Sequence, residues 1–334
     1  MRERSLFISS SKFNINIKKF LTRLFIYLII MSVLTCCVNY LYIKKLQTLD
    51  DTDKFHNIPS EIKICNFGSS HGQSAFNYEA ANGLTCFNFS LSAQTLSYDL
   101  RLLKYYYNKL ARGGTAFIVI SYQSLFGKPE TESDSFLSKN KSYYKFLDAK
   151  YIKLYEPMTA FYVKYFPSLT ASEGLLKTIL RRDKARGFYA NWLKTAEKID
   201  LNEDALSTYN SQIIKHKLDS NGNRIYNHEE IDALYEMIKL LKLKNITPVL
   251  ITTPFLSEYV ETVRKNSPEF FDEFYNLINK ICDETGVKYY DYSRDARFQD
   301  EHERLKLFRD TDHLNKAGAA KFTEIIFKEI INKN

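Results

Sequence analysis

Two short stretches near opposite ends of the chain carry residue types that together could do nucleophilic chemistry. The first is Gly68-Ser69-Ser70-His71, which follows the apolar run Ile62 to Phe67. A Ser on a tight strand-to-helix turn presents its hydroxyl to solvent or substrate, and a preceding Gly allows the backbone angles of such a turn. The second is Asp310-Thr311-Asp312-His313. A nucleophilic Ser needs a base, and the base needs a carboxylate to orient it. Asp310, three residues before His313, can hold one imidazole nitrogen while the other faces Ser70. Asp312 adjoins His313 and is expected not to reach its ring nitrogen, and His71 is expected to point away along the rim. Asn315 is placed to cap a closing helix from Lys316 to Ile331. Taken alone, the first stretch also fits a helix cap and the second a polar loop. A metal site at Asp310, Asp312 and His313 is a poor fit, because no other cluster in the chain has ligand spacing, and no cofactor motif is found.

These two stretches, with two more between them, resemble the SGNH/GDSL hydrolase superfamily. Gly68-Ser69-Ser70 matches the family's Gly-Asp-Ser turn, and Asp310 to His313 its Asp-x-x-His block. Asn88-Phe89-Ser90-Leu91-Ser92-Ala93-Gln94-Thr95 is similar to its Asn-x-Ser-x-Ser-Gly-Asp-Thr stretch, and Ile120-Ser121-Tyr122-Gln123-Ser124 falls where it has Gly-x-Asn-Asp. The resemblance covers about residues 60–126 and 226–334. It implies Ser70, Asp310 and His313 as catalytic residues, with an oxyanion hole formed by Ser70, Ala93 and Gln123. Ala93 stands for a Gly whose N–H donates, and keeps that N–H. Gln123 stands for an Asn and carries its amide on a longer stem. A misplaced donor costs about 2.7–4 kcal/mol of transition-state stabilisation.

These residues must be held at the rim of a sheet, and the chain alternates accordingly. Strands are expected over 61–67, 85–90, 115–121, 247–253 and 287–292, and helices around 73–82, 97–111, 227–244 and 267–285. A Gly113-Gly114 turn is expected to lead into the third strand. Such alternation argues an α/β fold with a parallel sheet and right-handed crossovers. The resemblance implies a flavodoxin-like, three-layer arrangement of five strands in the order 2-1-3-4-5. Residues 127–225 interrupt the pattern as a helical insertion with short helices near 143–165 and 173–197. Between Lys139 and Arg186 it has eleven basic and four acidic residues. That composition suits a solvated lid, and the interleaved Tyr and Lys also suit a surface facing lipid headgroups or acidic glycan. The motif Tyr105-Tyr106-Tyr107 reads as packing. Cys65 and Cys86 on strands and Cys282 on a helix read as buried free thiols.

Leu24 through Ile43 is an uncharged run of twenty residues. As a helix it is about 30 Å long and spans a bilayer. Six Lys or Arg lie in residues 1–23 against three in 44–59, which places the tail in the cytoplasm and the main domain outside. The expected division is a basic tail over 1–23, an anchor over 24–43, a polar stalk over 44–59 and the SGNH-like domain over 60–334. The formal net charge of +8 resides largely in the tail, and no nucleic-acid motif accompanies it.

An anchored external domain with this turn is similar to the membrane-bound branch of the superfamily, the D-alanyl transfer proteins of teichoic acids and the O-acetyltransfer proteins of exported polysaccharides. That resemblance implies acyl transfer through a Ser acyl-enzyme onto an envelope glycan, with a multi-span membrane acyltransferase as partner. An esterase or O-deacetylase would use the same residues. A catalytically degenerate scaffold is the alternative from a different class.

Overall fold

In the computed structural model, residues 7–46, 51–80, 83–129, 136–170, 191–215 and 217–332 are described. Five strands, β1 (Ile62–Phe67), β2 (Cys86–Asn88), β3 (Leu110–Val119), β4 (Thr247–Thr252) and β5 (Lys288–Asp291), form one sheet. Its order is β2-β1-β3-β4-β5, and every pairing is parallel. The central strands β1, β3 and β4 are mostly buried because both faces of the sheet are covered. Phe117, Val119, Val249 and Ile251 join a core with Phe298, Phe308 and Phe322. The intervening Ile118 and Leu250 point to the opposite face and are equally inaccessible.

The helices are α1 (Phe7–Leu46), α2 (Ser70–Ala75), α3 (Leu96–Tyr105), α4 (Phe136–Tyr143), α5 (Pro157–Tyr165), α6 (Leu201–Tyr209), α7 (His228–Leu243), α8 (Ser257–Asn266), α9 (Phe270–Thr285), α10 (Arg304–Leu307) and α11 (Lys316–Ile326). Helix α3 packs with α7 and α9 also meets α7, whereas α11 packs on α2, so helices cover both sides of the sheet.

Several elements differ from the sequence expectation. The helix expected at 73–82 starts at Ser70 itself and is six residues long. The third strand begins at Leu110, and Gly113-Gly114 is a bulge inside it rather than a turn before it. The register jumps from Ile62 opposite Leu110 to Ile64 opposite Thr115. Gly113 has φ +69°, and a Cβ on Gly114 would lie 2.5 Å from the Lys63 carbonyl oxygen, so both glycines are required by the bulge. Helix α8 was not expected. It lies between Pro254 and α9, where Leu256 starts it by donating its N–H to the Thr311 carbonyl.

The chain divides into two units, residues 1–48 with 161–184 and residues 49–160 with 185–334. In the first, α1 extends well beyond the expected apolar run, so the basic tail is helical from Phe7 onward. Its stretch Ile17–Lys44 is long and apolar enough to cross a membrane. In the second, the described part of the expected stalk is not a free linker. Phe55 is buried and stacks on Phe146 at 4.1 Å, and Lys54 donates to the Ser90 carbonyl. The insertion supplies α4, α5 and α6. Most of the helix expected over 173–197, including Arg181-Arg182, lies outside the described residues. No disulfide joins the described cysteines; Cys65 is buried, and Cys86 and Cys282 are half-buried.

Candidate active site

Ser70 lies just beyond the carboxyl end of β1, as the first residue of α2. Gly68 makes the turn possible. Its φ is +140°, and a Cβ there would lie 2.8 Å from the Val119 Cβ. Its N–H is held by the Asp99 carboxylate at 2.9 Å, and its carbonyl accepts from Gln94 Nε2 at 3.3 Å. Gln94 Nε2 also donates to Asp99 at 2.5 Å. Behind the turn, Asn66 Nδ2 donates to the Gly72 carbonyl, Asn88 Oδ1 and Ser90 Oγ. Buried polar groups tied in this way fix one geometry.

The last strand's follow-on loop returns to this turn. Asn315 caps α11 by accepting from the N–H groups of Ala317 and Gly318. Its own N–H bonds the Leu307 carbonyl, and Arg309 N–H bonds the His313 carbonyl, closing the loop. From the insertion, Asp204 on α6 accepts from both Thr311 N–H and Thr311 Oγ1, at 2.9 and 2.6 Å. The result brings together residues 243 apart in sequence. His313 Nε2 lies 2.7 Å from Ser70 Oγ, and His313 Nδ1 lies 2.8 Å from Asp310 Oδ1. Asp310 Oδ1 also takes the His313 backbone N–H at 2.8 Å.

Two expectations are overturned here. Asp312 does reach the ring, with Oδ1 2.9 Å from His313 Nδ1. The loop folds back on itself, so both carboxylates converge on one imidazole. His71 is no rim residue either. Only 1% of it is exposed, and its ring stacks on His313 with centroids 4.6 Å apart. As part of α2, its side chain turns inward under the loop. His71 Nε2 faces Asp312 Oδ2 at 2.8 Å, and His71 Nδ1 faces Ser121 Oγ at 2.6 Å. A carboxylate only accepts, so Nε2 carries the proton, and Ser121 donates to Nδ1 of a neutral ring. Gln212 Nε2 completes Asp312 Oδ2 at 2.5 Å and is itself held by the Tyr259 hydroxyl.

The electrostatics follow from this packing. Burial alone would push His313 down, but the carboxylates of Asp312 and Asp310 more than offset it and hold the imidazole up at about 9. Burial and the His313 charge push His71 down, consistent with its neutral tautomer. Asp312 is buried as well, yet the two imidazoles keep it well below the usual carboxylate range. Burial pushes Asp99 up to about 8.

Beside Ser70 opens a cavity of about 390 Å³ that Ala93 and Gln123 also line. Ala93 has φ +56°, the left-handed conformation that a Gly adopts without strain and an L-residue at about 1–2 kcal/mol. The Gln123 side-chain oxygen is buried without a hydrogen-bond partner among the described residues. The opposite wall comes from the insertion and the segment before it, with Lys128, Lys139, Lys215 and Lys217. Lys217 donates to the carbonyls of Gln123 and Phe126, and burial brings it down to about 8. His71, Asp312 and His313 do place ligand-type atoms within 4.8 Å of one another. The same three side chains already pair with one another, His71 with Asp312 Oδ2 at 2.8 Å and His313 with Asp312 Oδ1 at 2.9 Å.

Sequence reasoning missed Gln212, Asp204, Asp99 and the pocket lysines. Of these only Lys139 falls in a stretch the sequence marks, the basic run from Lys139 to Arg186.

A parallel sheet in this order, with a Ser at the end of its first strand and a His loop before its last helix, defines an SGNH-like protein. The family described as DltD protein matches residues 135–328, more than half of the chain. The chain belongs to that family, the membrane-anchored D-alanyl transfer proteins of teichoic acids. No curated protein matches the chain.

Proposed function

We propose that the chain is an acyltransferase that carries a D-alanyl or acetyl group on Ser70 and passes it to a cell-envelope glycan. The single observation that carries this reading is the unbroken contact from Ser70 Oγ through His313 to Asp310, at 2.7 and 2.8 Å. In its neutral form His313 accepts the Ser70 proton as Oγ attacks the acyl carbonyl. Asp310 and Asp312 then stabilise the imidazolium, and the N–H groups of Ser70 and Ala93 with the Gln123 amide receive the oxyanion. When the intermediate collapses, the imidazolium returns the proton to the leaving group. A glycan hydroxyl then repeats the cycle from the other side and takes the acyl group. The four lysines lining the cavity suit an acceptor that carries negative charge, as a phosphate-linked glycan does.

In this reading the domain lies outside the cytoplasmic membrane, with α1 as its anchor and a multi-span membrane protein delivering the acyl group. The family's role in teichoic-acid D-alanylation supports this assignment.

A fluorophosphonate probe tests the nucleophile. Wild type and Ser69→Ala are expected to label, and Ser70→Ala not at all. His313→Ala and Asp310→Asn should slow acylation together, with Asp310→Asn costing on the order of 10⁴-fold if the general Ser-His-Asp precedent transfers. If all of these variants restore glycan acylation in a deletion strain as well as wild type does, the protein is a scaffold and the reading fails.

A further inference from the structure

Asn39 is a polar residue inside the stretch long and apolar enough to cross a membrane, and it is only 7% exposed. Its side chain bonds to the end of α5 and the turn that follows it. Asn39 Nδ2 donates to the Tyr165 carbonyl at 2.8 Å, and Asn39 Oδ1 accepts from Ser168 N–H at 3.2 Å and Ser168 Oγ at 2.9 Å. An amide inside a bilayer is tolerated where its hydrogen bonds are met by protein. Here they are met by a turn from a different part of the chain. Asn39 lies five residues before Lys44, about 7 Å along a helix, so the turn is fixed at the depth where hydrocarbon gives way to headgroups.

The side chains this turn displays fit that depth. Phe161, Tyr162, Tyr165 and Leu169 are exposed, the last two by 54% and 58%. Phe161 packs edge-on or tilted against Tyr162, Tyr165 and Phe166, with centroids 5.4 to 5.8 Å apart. Lys164 lies over the Tyr165 ring. Aromatic rings with a lysine among them make up the belt that proteins place at a membrane surface. Between this cluster and α1 runs an apolar groove of about 560 Å³, walled by Cys36, Tyr40 and Ile43 on one side and Phe161, Tyr165 and Phe166 on the other.

We propose that residues 161–170 are an interfacial foot, seated in the leaflet at the C-terminal end of α1, and that the groove takes phospholipid acyl chains. The occupant follows from continuity. The groove's other wall is the helix that spans the bilayer, so lipid tails are what surrounds it at that depth. The foot adds a second attachment beside the span, and it does so whichever side of the membrane that end faces.

The test uses the full-length protein in nanodiscs containing phosphatidylcholine brominated at a shallow or a deep acyl position. Phe161→Trp and Leu169→Trp are made singly, and native Trp192, buried with its indole N–H on the Ser74 carbonyl, serves as the internal reference. The new tryptophans are expected to lose fluorescence in brominated lipid, more with the shallow bromines than with the deep ones, while Trp192 alone does not. Asn39→Leu, which makes the span more apolar and leaves it inserted, should release the turn and reduce that quenching. Unquenched emission at the water-exposed wavelength would place the foot in solution and overturn the proposal. Unquenched but blue-shifted emission would mean that protein, such as a second copy of the chain, covers the face, and would overturn it equally.

Discussion

Two carboxylates converge on His313, and this makes the imidazole harder to deprotonate than an ordinary histidine. With its folded value at about 9 against 6.5 unperturbed, His313 adds stability that is fully present below 6.5 and is lost as pH rises through about 9. The same shift limits the base. Acylation of Ser70 should therefore rise with pH and level off near 9, measured as the rate of fluorophosphonate labelling. Asp312→Asn removes a carboxylate that favours the imidazolium, so the midpoint of that profile should move to lower pH. A midpoint that stays in place would mean His313 does not feel Asp312, whatever their separation. The facing groups to consider in reading the curve are Asp310, Asp312 and His71, which all bear on this ring. Asp99 gives a second residue-scale expectation with the opposite chemistry. Its folded value is raised from 3.8 to about 8, so folding keeps a proton that the unfolded chain releases. Stability on this account falls as pH rises from 3.8 to about 8 and is level above it. Asp99→Asn should flatten that part of the curve of thermal midpoint against pH. Its Oδ1 can still accept from Gly68 and Gln94, and its Nδ2 replaces an oxygen with no partner among the described residues. An unchanged slope would show that Asp99 is ionised in the folded protein.

At the scale of elements, the site depends on β1 and β3 ending level with each other. Ser70 follows one strand, and Ser121 and Gln123 follow the other. The bulge at Gly113-Gly114 sets that register, since it inserts extra residues between the pair Ile62–Leu110 and the pair Ile64–Thr115. Gly114→Ala pushes a methyl into the Lys63 carbonyl, which backbone can relieve only by shifting the strand. A loss of about 1–3 kcal/mol is expected from such overpacking. It should be read as a lower thermal midpoint together with weaker labelling of Ser70. Retention of both would mean that the sheet absorbs the strain without moving its ends. Helix α6 plays a comparable part from outside the sheet, because Asp204 and the following Gln212 hold the loop that carries Asp310, Asp312 and His313.

For the whole molecule, the sequence order matters: a helix long and apolar enough to cross a membrane precedes the domain that carries Ser70 and His313. Because the tail before the span carries six basic residues, the rest of the chain is expected to be exported. Protease added to intact spheroplasts should digest the domain and leave a short anchored fragment. Full protection until the membrane is permeabilised would reverse the topology and with it the glycan acceptor. The contacts of Phe55 with Phe146 and of Lys54 with the Ser90 carbonyl add a further expectation for such digests: the bonds around Lys54 and Phe55 should be spared.

Local chemistry was enough to read the sheet, its strand order through the family resemblance, the turn at Ser70 and the loop at His313. Short apolar runs, a Gly before a Ser, and an Asn capping a helix are effects that act within a few residues of themselves. What the tertiary structure decided is everything that depends on which distant surfaces close on one another. His71 and Asp312 lie 241 residues apart, and neither carries a local sign that it will be buried against the other. The same is true of the third strand's early start, where Gly113-Gly114 reads as a turn until the neighbouring strand requires a bulge. It is true again of the insertion, whose irregular sequence gives no period from which to infer that α6 grips the His313 loop or that its lysines line the cavity. Short-range preference is written in consecutive residues, whereas a cluster of two imidazoles and two carboxylates exists only once the chain has folded around it.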